Sequence, residues 1–272
     1  SDVERIAVLV ADCRRMKIQV LPPDVNKSYS DFAPENQNIR FGLSAVKNVG
    51  VGITQAIVDE RLRGGPFSNL EDFVSRINHK DLNKKSLESL IKCGAMDSLG
   101  VERKTLLMNL DDIIRTLSAY RRSLAVSQTS LFGGAPKMTI KLTPVAPATN
   151  MEKLNWEKEL LGLFVSDHPL NGFKHNNDGV TPLKDVKNIR DGYNVTVTGL
   201  VSKIQKINTK NGQPMLFVKL EDLSNNVEIL VFNDTIQKHP DIWRENTILQ
   251  VKGRVSRKNG EPKIICESAK II

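Results

Sequence analysis

The 272-residue sequence has no apolar run approaching the ~20 residues that a membrane-spanning helix requires. Its opening, Ser1 to Arg15, lacks the charged, apolar and small-residue order of a signal peptide. The three cysteines, Cys13, Cys93 and Cys266, are far apart and odd in number, and no C-x-x-C occurs. The four histidines, His79, His168, His175 and His239, are scattered. These spacings speak against a disulfide framework or a structural metal, and predict a reduced, cytoplasmic chain without a cofactor. His168, in Ser166-Asp167-His168-Pro169, reads as a capping or packing histidine, because no further ligands cluster near it. Asp111-Asp112 is the nearest approach to a carboxylate pair, but adjacent helical residues point in different directions, so it reads as a solvated face. No acid, nucleophile or metal set marks an autonomous enzyme. Aromatic residues make up only 5% of the chain, which leaves few surfaces for base stacking.

What the chain does have is positive charge. A net charge of +8, spread along the sequence, favours a polyanionic partner, nucleic acid over a membrane. The stretch Phe41 to Arg61 is the most specific feature. It reads as two short apolar-faced helices joined by Asn48-Val49-Gly50-Val51-Gly52, with Gly50 and Gly52 suited to positive φ or close backbone approach. Ile53, Ala56 and Ile57 then line one face of a helix whose free N–H groups and positive dipole end make a seat for phosphate. Gly-x-Gly before a helix is also an ordinary turn. As a helix-hairpin-helix, the stretch would hold DNA backbone through Lys47, Asn48, Val49, Gly50, Val51, Gly52 and Thr54.

Elsewhere the periodicity predicts a helix over residues 3–16 with little to pack against, as though it continued from something larger. Val20-Leu21-Pro22-Pro23-Asp24 enforces an extended exit. Ser68-x-x-Glu71 predicts a capping box, Asn83 a second cap, Gly94 a helix end, and residues 102–123 one long helix. Residues 126–150 read as a flexible linker, rich in Pro, Ala, Thr and Gly. Inside it, Gln128-Thr129-Ser130-Leu131-Phe132 suggests either a short docking peptide or a segment folding back onto the domain. Residues 151–192 read as a helical connector.

From Tyr193 the apolar period becomes two. Val195, Val197, Gly199 and Val201 start a strand, and Asn211-Gly212 and Asn259-Gly260 mark hairpins. Five strands with a helix between the third and fourth match an OB-fold barrel. The fold class is therefore multidomain, α plus all-β: a helical helix-hairpin-helix domain, a linker, and a five-stranded OB barrel. Residues 193–272 carry 12 Lys and Arg against 8 Asp and Glu. Candidate single-strand contacts are Lys203, Lys206, Lys210, Phe217, Lys219, Lys252, Arg254, Arg257 and Lys258, with Lys263 adding loop charge. With so few aromatics, weak, electrostatic, salt-sensitive binding is expected.

The order of these parts resembles the bacterial DNA polymerase III alpha subunits, the C-family replicative polymerases. The resemblance rests on Cys13-Arg14-Arg15-Met16 through Val20-Leu21-Pro22-Pro23-Asp24-Val25-Asn26, and on Ile39-Arg40-Phe41-Gly42-Leu43 with Lys47-Asn48-Val49-Gly50. Gly64-Gly65-Pro66-Phe67, the run Leu90 to Leu99, Glu159-Leu160-Leu161-Gly162 and Ser166-Asp167-His168-Pro169-Leu170 extend it. It covers nearly the whole chain and is weakest in the linker and residues 171–190. It implies that residues 1–37 end a fingers region, 38–125 hold duplex DNA, 126–150 carry the clamp motif, and 193–272 lie near the template strand. It implies that Gln128, Leu131 and Phe132 bind the sliding clamp, the beta subunit, as a Q-x-x-L/M-F motif. It also implies that the Mg2+-holding palm carboxylates of the full-length polymerase, a nucleotidyltransferase, lie upstream, and that other replisome subunits bind regions outside this chain. The chain reads as a non-catalytic, C-terminal piece. A freestanding single-strand-binding protein and an error-prone paralogue of the same family are the alternatives.

Overall fold

Two sets of apolar residues, one at helical spacing and one alternating, close into two separate cores, and the backbone follows them. The computed structural model describes residues 2–127, 138–172, 179–209, 211–222, 225–258 and 260–272. It divides into two compact units, Ser1–Asp167 and His168–Ile272.

In the first unit, α1 (Asp2–Arg15) is followed by Lys17 at φ 63°, which turns the chain into the proline-bounded extension. That extension is part of a small sheet. β1 (Val20–Leu21) runs parallel to β3 (Asn38–Arg40), which pairs antiparallel with β2 (Ala33–Glu35). Arg40 locks the sheet by donating to both Glu35 carboxylate oxygens, at 2.6 and 2.8 Å, and to the Pro22 carbonyl at 2.8 Å. Four helices follow: α2 (Val51–Gly64), α3 (Leu70–Arg76), α4 (Lys84–Lys92) and α5 (Arg103–Met108).

The capping box expected at Ser68 and Glu71 is replaced by a simple cap one residue later. Asn69 caps α3 by accepting from the Asp72 N–H at 2.8 Å, and the Asp72 carboxylate receives the Ser68 N–H. At Asn83 the expected cap is present, closed reciprocally by Ser86. Gly94 ends that helix with φ 84°, as expected of a residue just past a helix end.

The single helix expected over 102–123 is two, α5 and α6 (Leu110–Ser127). The break falls at Asn109, whose amide donates to the Thr105 and Thr143 carbonyls and accepts from the Thr143 N–H. A side chain that bonds so many backbone groups competes with the helix ladder. Its partner segment corrects the flexible-linker reading: residues 138–149 lie against the helices. Ile140 is buried in the core and its N–H reaches Glu71, while the Ala148 N–H donates to Glu102. α7 (Asn150–Leu161), opened by a Thr149–Glu152 capping box, likewise belongs to the first unit rather than to a separate connector. Its Glu157, fully buried, accepts from Arg103 at 3.2 Å and from the Ser166 hydroxyl at 2.8 Å.

The second unit opens with a 3-10 turn in which the His168 Nδ1 accepts from the Leu170 N–H, a capping role. After α8 (Leu183–Val186) come β4 (Asn194–Asn208), β5 (Pro214–Glu221), β6 (Asn226–Val231), α9 (Asn233–Lys238), β7 (Ile248–Ser256) and β8 (Lys263–Ile271). The strands close a barrel in the order β4-β5-β6-β8-β7, with β6 parallel to β8. Alternate residues such as Val197, Val218, Ile229, Val251 and Ile264 fill the interior. Closure requires Gly253: a Cβ there would lie 2.2 Å from the Ile265 carbonyl oxygen, at the register shift of β7.

Candidate nucleic-acid interface

The glycine hairpin is built from inside outward. Val49, Ile53 and Ile57 are buried and fix the turn on the core. Leu43–Ala45, expected as a first helix, is a single 3-10 turn. Thr54 is also fully buried: its hydroxyl donates to the Val51 carbonyl at 2.8 Å and lies 3.2 Å from the Ser44 hydroxyl. Val49 and Thr54 therefore support the turn rather than face its outer side. Lys47, Asn48, Gly50, Val51 and Gly52 are exposed, Val51 at 69%.

Positive φ falls on Asn48, at 65°, and not on the glycines. Gly50 is the N-cap of α2 in ordinary extended geometry, φ −76° and ψ 160°, and offers no capping side chain. The first turn of α2 itself holds no acidic residue, so its N–H groups and positive dipole end face outward, with the Asp81 carboxylate of the next turn lying to one side, near Gly52. Gly52 serves close approach instead, since a Cβ there would lie 3.2 Å from His79 Cε1.

His79 belongs to a second turn, between α3 and α4, that the sequence reading missed. Lys80 is exposed on it, Lys84 and Lys85 are exposed at the start of α4, and Arg121 of α6 holds the turn from behind through the Ile77 and His79 carbonyls, at 3.2 and 3.0 Å. It contains no glycine, and the Asn83 cap was its one local signal. Asp111 pairs with Lys84 and Asp112 with Arg115, so the adjacent acids form surface ion pairs.

On the barrel, an open cleft of about 490 Å3 lies across the outer faces of β4, β5, β6 and β8. Pairing sets its floor. Lys203 stands opposite Lys219, and Gln205 opposite Phe217. Lys263 places its ammonium 5.4 Å from the Phe217 ring centroid, and Lys187 lines the rim beside α8. Lys187 and Gln205 had no motif to announce them, since only strand pairing and the packing of α8 bring them to the cleft.

The structure brings Lys203, Phe217 and Lys219 together and leaves the other candidates apart. Lys252 and Arg254 are exposed on β7, opposite Thr196 and Asn194, outside the cleft lining. Lys206 and Lys258 are exposed but also outside it. Arg257 is committed elsewhere: its guanidinium donates to the Lys187 and Ile189 carbonyls, and its N–H to Asp191 at 2.8 Å. That corrects its reading as a strand contact, because a side chain tied to backbone carbonyls is not presented to a ligand. Lys210, Gln128, Leu131 and Phe132 lie outside the described residues.

Among the described residues no group of three or more His, Cys, Asp or Glu could hold a metal ion, and no helix is long and apolar enough to cross a membrane. Burial pushes the Cys93 and Cys266 thiols up to about 12, which keeps both inert at neutral pH.

Comparison with known proteins agrees with both halves. A helix-hairpin-helix motif model matches residues 17–106, and an OB-fold nucleic acid binding domain model matches residues 195–272. The DNA polymerase III subunit alpha of Saccharopolyspora erythraea is 36% identical over 98% of this chain and 24% of its own length. That of Mycobacterium tuberculosis H37Rv is 35% identical over 94% of the chain and 23% of its own. That of Escherichia coli K12 is 32% identical over 94% and 23%. The chain spans about a quarter of the length of the curated relatives it matches. With a helix-hairpin-helix motif, an OB-fold domain and an alignment to these subunits over 94–98% of its length, the chain belongs to the DNA polymerase III alpha subunit family, as a portion of such a protein.

Proposed function

We propose that this chain is the DNA- and clamp-holding portion of a replicative polymerase. It grips duplex backbone at the Gly50–Gly52 turn, holds single-stranded template in the barrel cleft, and ties to the sliding clamp through Gln128, Leu131 and Phe132. Bond formation belongs to the full-length protein, in which Mg2+-binding carboxylates outside this chain carry phosphoryl transfer in the cytoplasm beside other replisome subunits. The observation that carries the reading is the N-terminus of α2, with no capping side chain and no acid in its own first turn, and with Lys47 exposed beside it. That is the arrangement a phosphate needs, and it contacts no base, so the grip is independent of sequence.

The cleft suits a single strand for a different reason. Lys203 and Lys219 supply charge next to a ring, a combination that holds unpaired nucleotides by backbone and by stacking. Fluorescence anisotropy with labelled duplex and labelled oligothymidylate tests both halves. Lys47→Ala is expected to weaken the duplex, and Lys203→Ala with Lys219→Ala the single strand. Each affinity should fall with salt, with a slope of ~0.9 per duplex phosphate and ~0.7 per single-strand phosphate neutralised. Affinity that ignores salt and these substitutions refutes the proposal.

A further inference from the structure

The barrel cleft contains an opposition that its general basicity hides. Strand pairing aligns four charged residues in one row across four strands. Lys203 on β4 faces Lys219 on β5, Lys219 faces Glu228 on β6, and Glu228 faces Lys263 on β8. Because residues two apart share a face, the next outward row carries Gln205 and, opposite it, Phe217. Lys263 joins the two rows. Its ammonium donates to Glu228 Oε1 at 3.0 Å while standing 5.4 Å from the Phe217 ring centroid. The pair is partly withdrawn from water, with the Lys263 side chain 24% exposed and that of Glu228 37%. Among the described residues, the one aromatic ring lining the cleft is thus covered by a cation whose charge is already matched.

A single-stranded nucleotide needs an open π-face for its base and cations for its phosphates; Lys203 and Lys219 supply charge here, but Lys263 covers the ring and has its own charge taken by Glu228. We propose that Lys263, held by Glu228, is a resident lid over a one-nucleotide subsite on Phe217. Entry of a strand moves the ammonium from the Glu228 carboxylate to the incoming phosphate, and the base takes its place on the ring. The inference rests on the reading that the cleft takes single-stranded DNA. It makes Glu228 an opponent of binding, since its carboxylate holds the lid shut in the free protein and faces phosphate in the complex. It also makes any gain from removing that carboxylate depend on Phe217.

The test uses the whole 272-residue chain and a fluorescent oligothymidylate about 12 nucleotides long, within the span one OB barrel covers. Glu228→Gln should bind about tenfold more tightly than the wild type. Glu267→Gln, an equal change of charge on an exposed β8 residue outside the cleft lining, should gain less than about twofold by screened attraction alone. In a Phe217→Leu background, which should itself bind about tenfold more weakly, most of the Glu228→Gln gain should vanish. Circular dichroism melts confirm that each variant folds. A Glu228→Gln gain no larger than that of Glu267→Gln, or one that survives intact without the ring, overturns the lid while leaving the cleft reading standing. If Lys203→Ala, Lys219→Ala and Phe217→Leu all bind as the wild type does, the cleft reading fails and the lid with it.

Discussion

Replacing Gly50 with aspartate separates what the hairpin does for stability from what it does for DNA. The residue sits at φ −76° and ψ 160°, normal for an aspartate N-cap, and a Cβ there meets nothing within 4 Å. The new carboxylate would accept the first-turn N–H groups that are otherwise free. An aspartate cap exceeds glycine by a few tenths of a kcal/mol, and the helix dipole adds about 0.3–1 kcal/mol, so the helical unit should melt higher. Phosphate would then meet an occupied site. With the carboxylate and phosphate about 5 Å apart and an effective dielectric of about 40, between surface and bulk values, the repulsion is about 1.7 kcal/mol. That corresponds to an affinity loss of about 10- to 20-fold for duplex DNA, before the lost N–H contacts are counted. The salt slope should also fall by about 0.9 as one phosphate contact disappears. Anisotropy with labelled duplex over a salt series, beside thermal melts, reads both effects. Gly50→Ala, which leaves the N–H groups free, is the control and should bind nearly normally. A Gly50→Asp protein that melts higher and still holds duplex like the wild type would refute the phosphate-seat argument.

Three further outcomes follow from other parts of the chain. Glu157→Ala strands Arg103 in the core, although Asp97 still pairs with it at 2.7 Å, so urea unfolding should show a loss of about 3 kcal/mol, at the low end for a broken buried pair; a loss below about 1 kcal/mol would match a surface pair and contradict its role. Replacing Gln128, Leu131 and Phe132 together with alanine should abolish surface-plasmon binding to the sliding clamp without changing the melt, and retained clamp affinity would remove the tether from the account. Acid should weaken the helical unit: hydrogen bonds from Arg40 and Arg63 hold the Glu35 and Glu60 carboxyls below their ordinary 4.5, and the Thr149 N–H and Lys104 hold Glu152 at about 2. Lowered carboxylate values stabilise above the unfolded-state range, and that stabilisation fades as pH falls through the folded values. The melting temperature should therefore drop between about pH 4.5 and 2, and a flat profile there would show those partners to be energetically idle.

Much of this architecture could be read residue by residue. Alternation at Val195, Val197, Leu216, Val218, Leu220, Val227, Ile229 and Val231 marks three barrel strands because inward and outward environments differ at every step. The Asn211-Gly212 turn, with Gly212 at φ 73°, and the Asn83 cap are equally local. Gly50 and Gly52 marked the hairpin, though for reasons only partly right: Asn48 takes the positive φ.

Local pattern fails where a distant partner sets the outcome. The strands β1 to β3 are two or three residues long, too short for any period to show, and they exist because Arg40 joins Glu35 to Pro22. Asn109 splits a helix because residues 138–149 come back to receive its amide. Thr54 and Arg257 carry suitable chemistry for DNA, yet the fold turns one inward and spends the other on carbonyls. The row of Lys203, Lys219, Glu228 and Lys263 depends on β6 lying beside β8, a parallel pairing between strands far apart in sequence. By itself, then, the amino-acid order determined most of the longer helices and the barrel strands, that the chain is basic, and to which family it belongs. Barrel closure and helix packing decided which of its charges stand free and which ring lies under a cation, because exposure is a property of neighbours brought together only on folding.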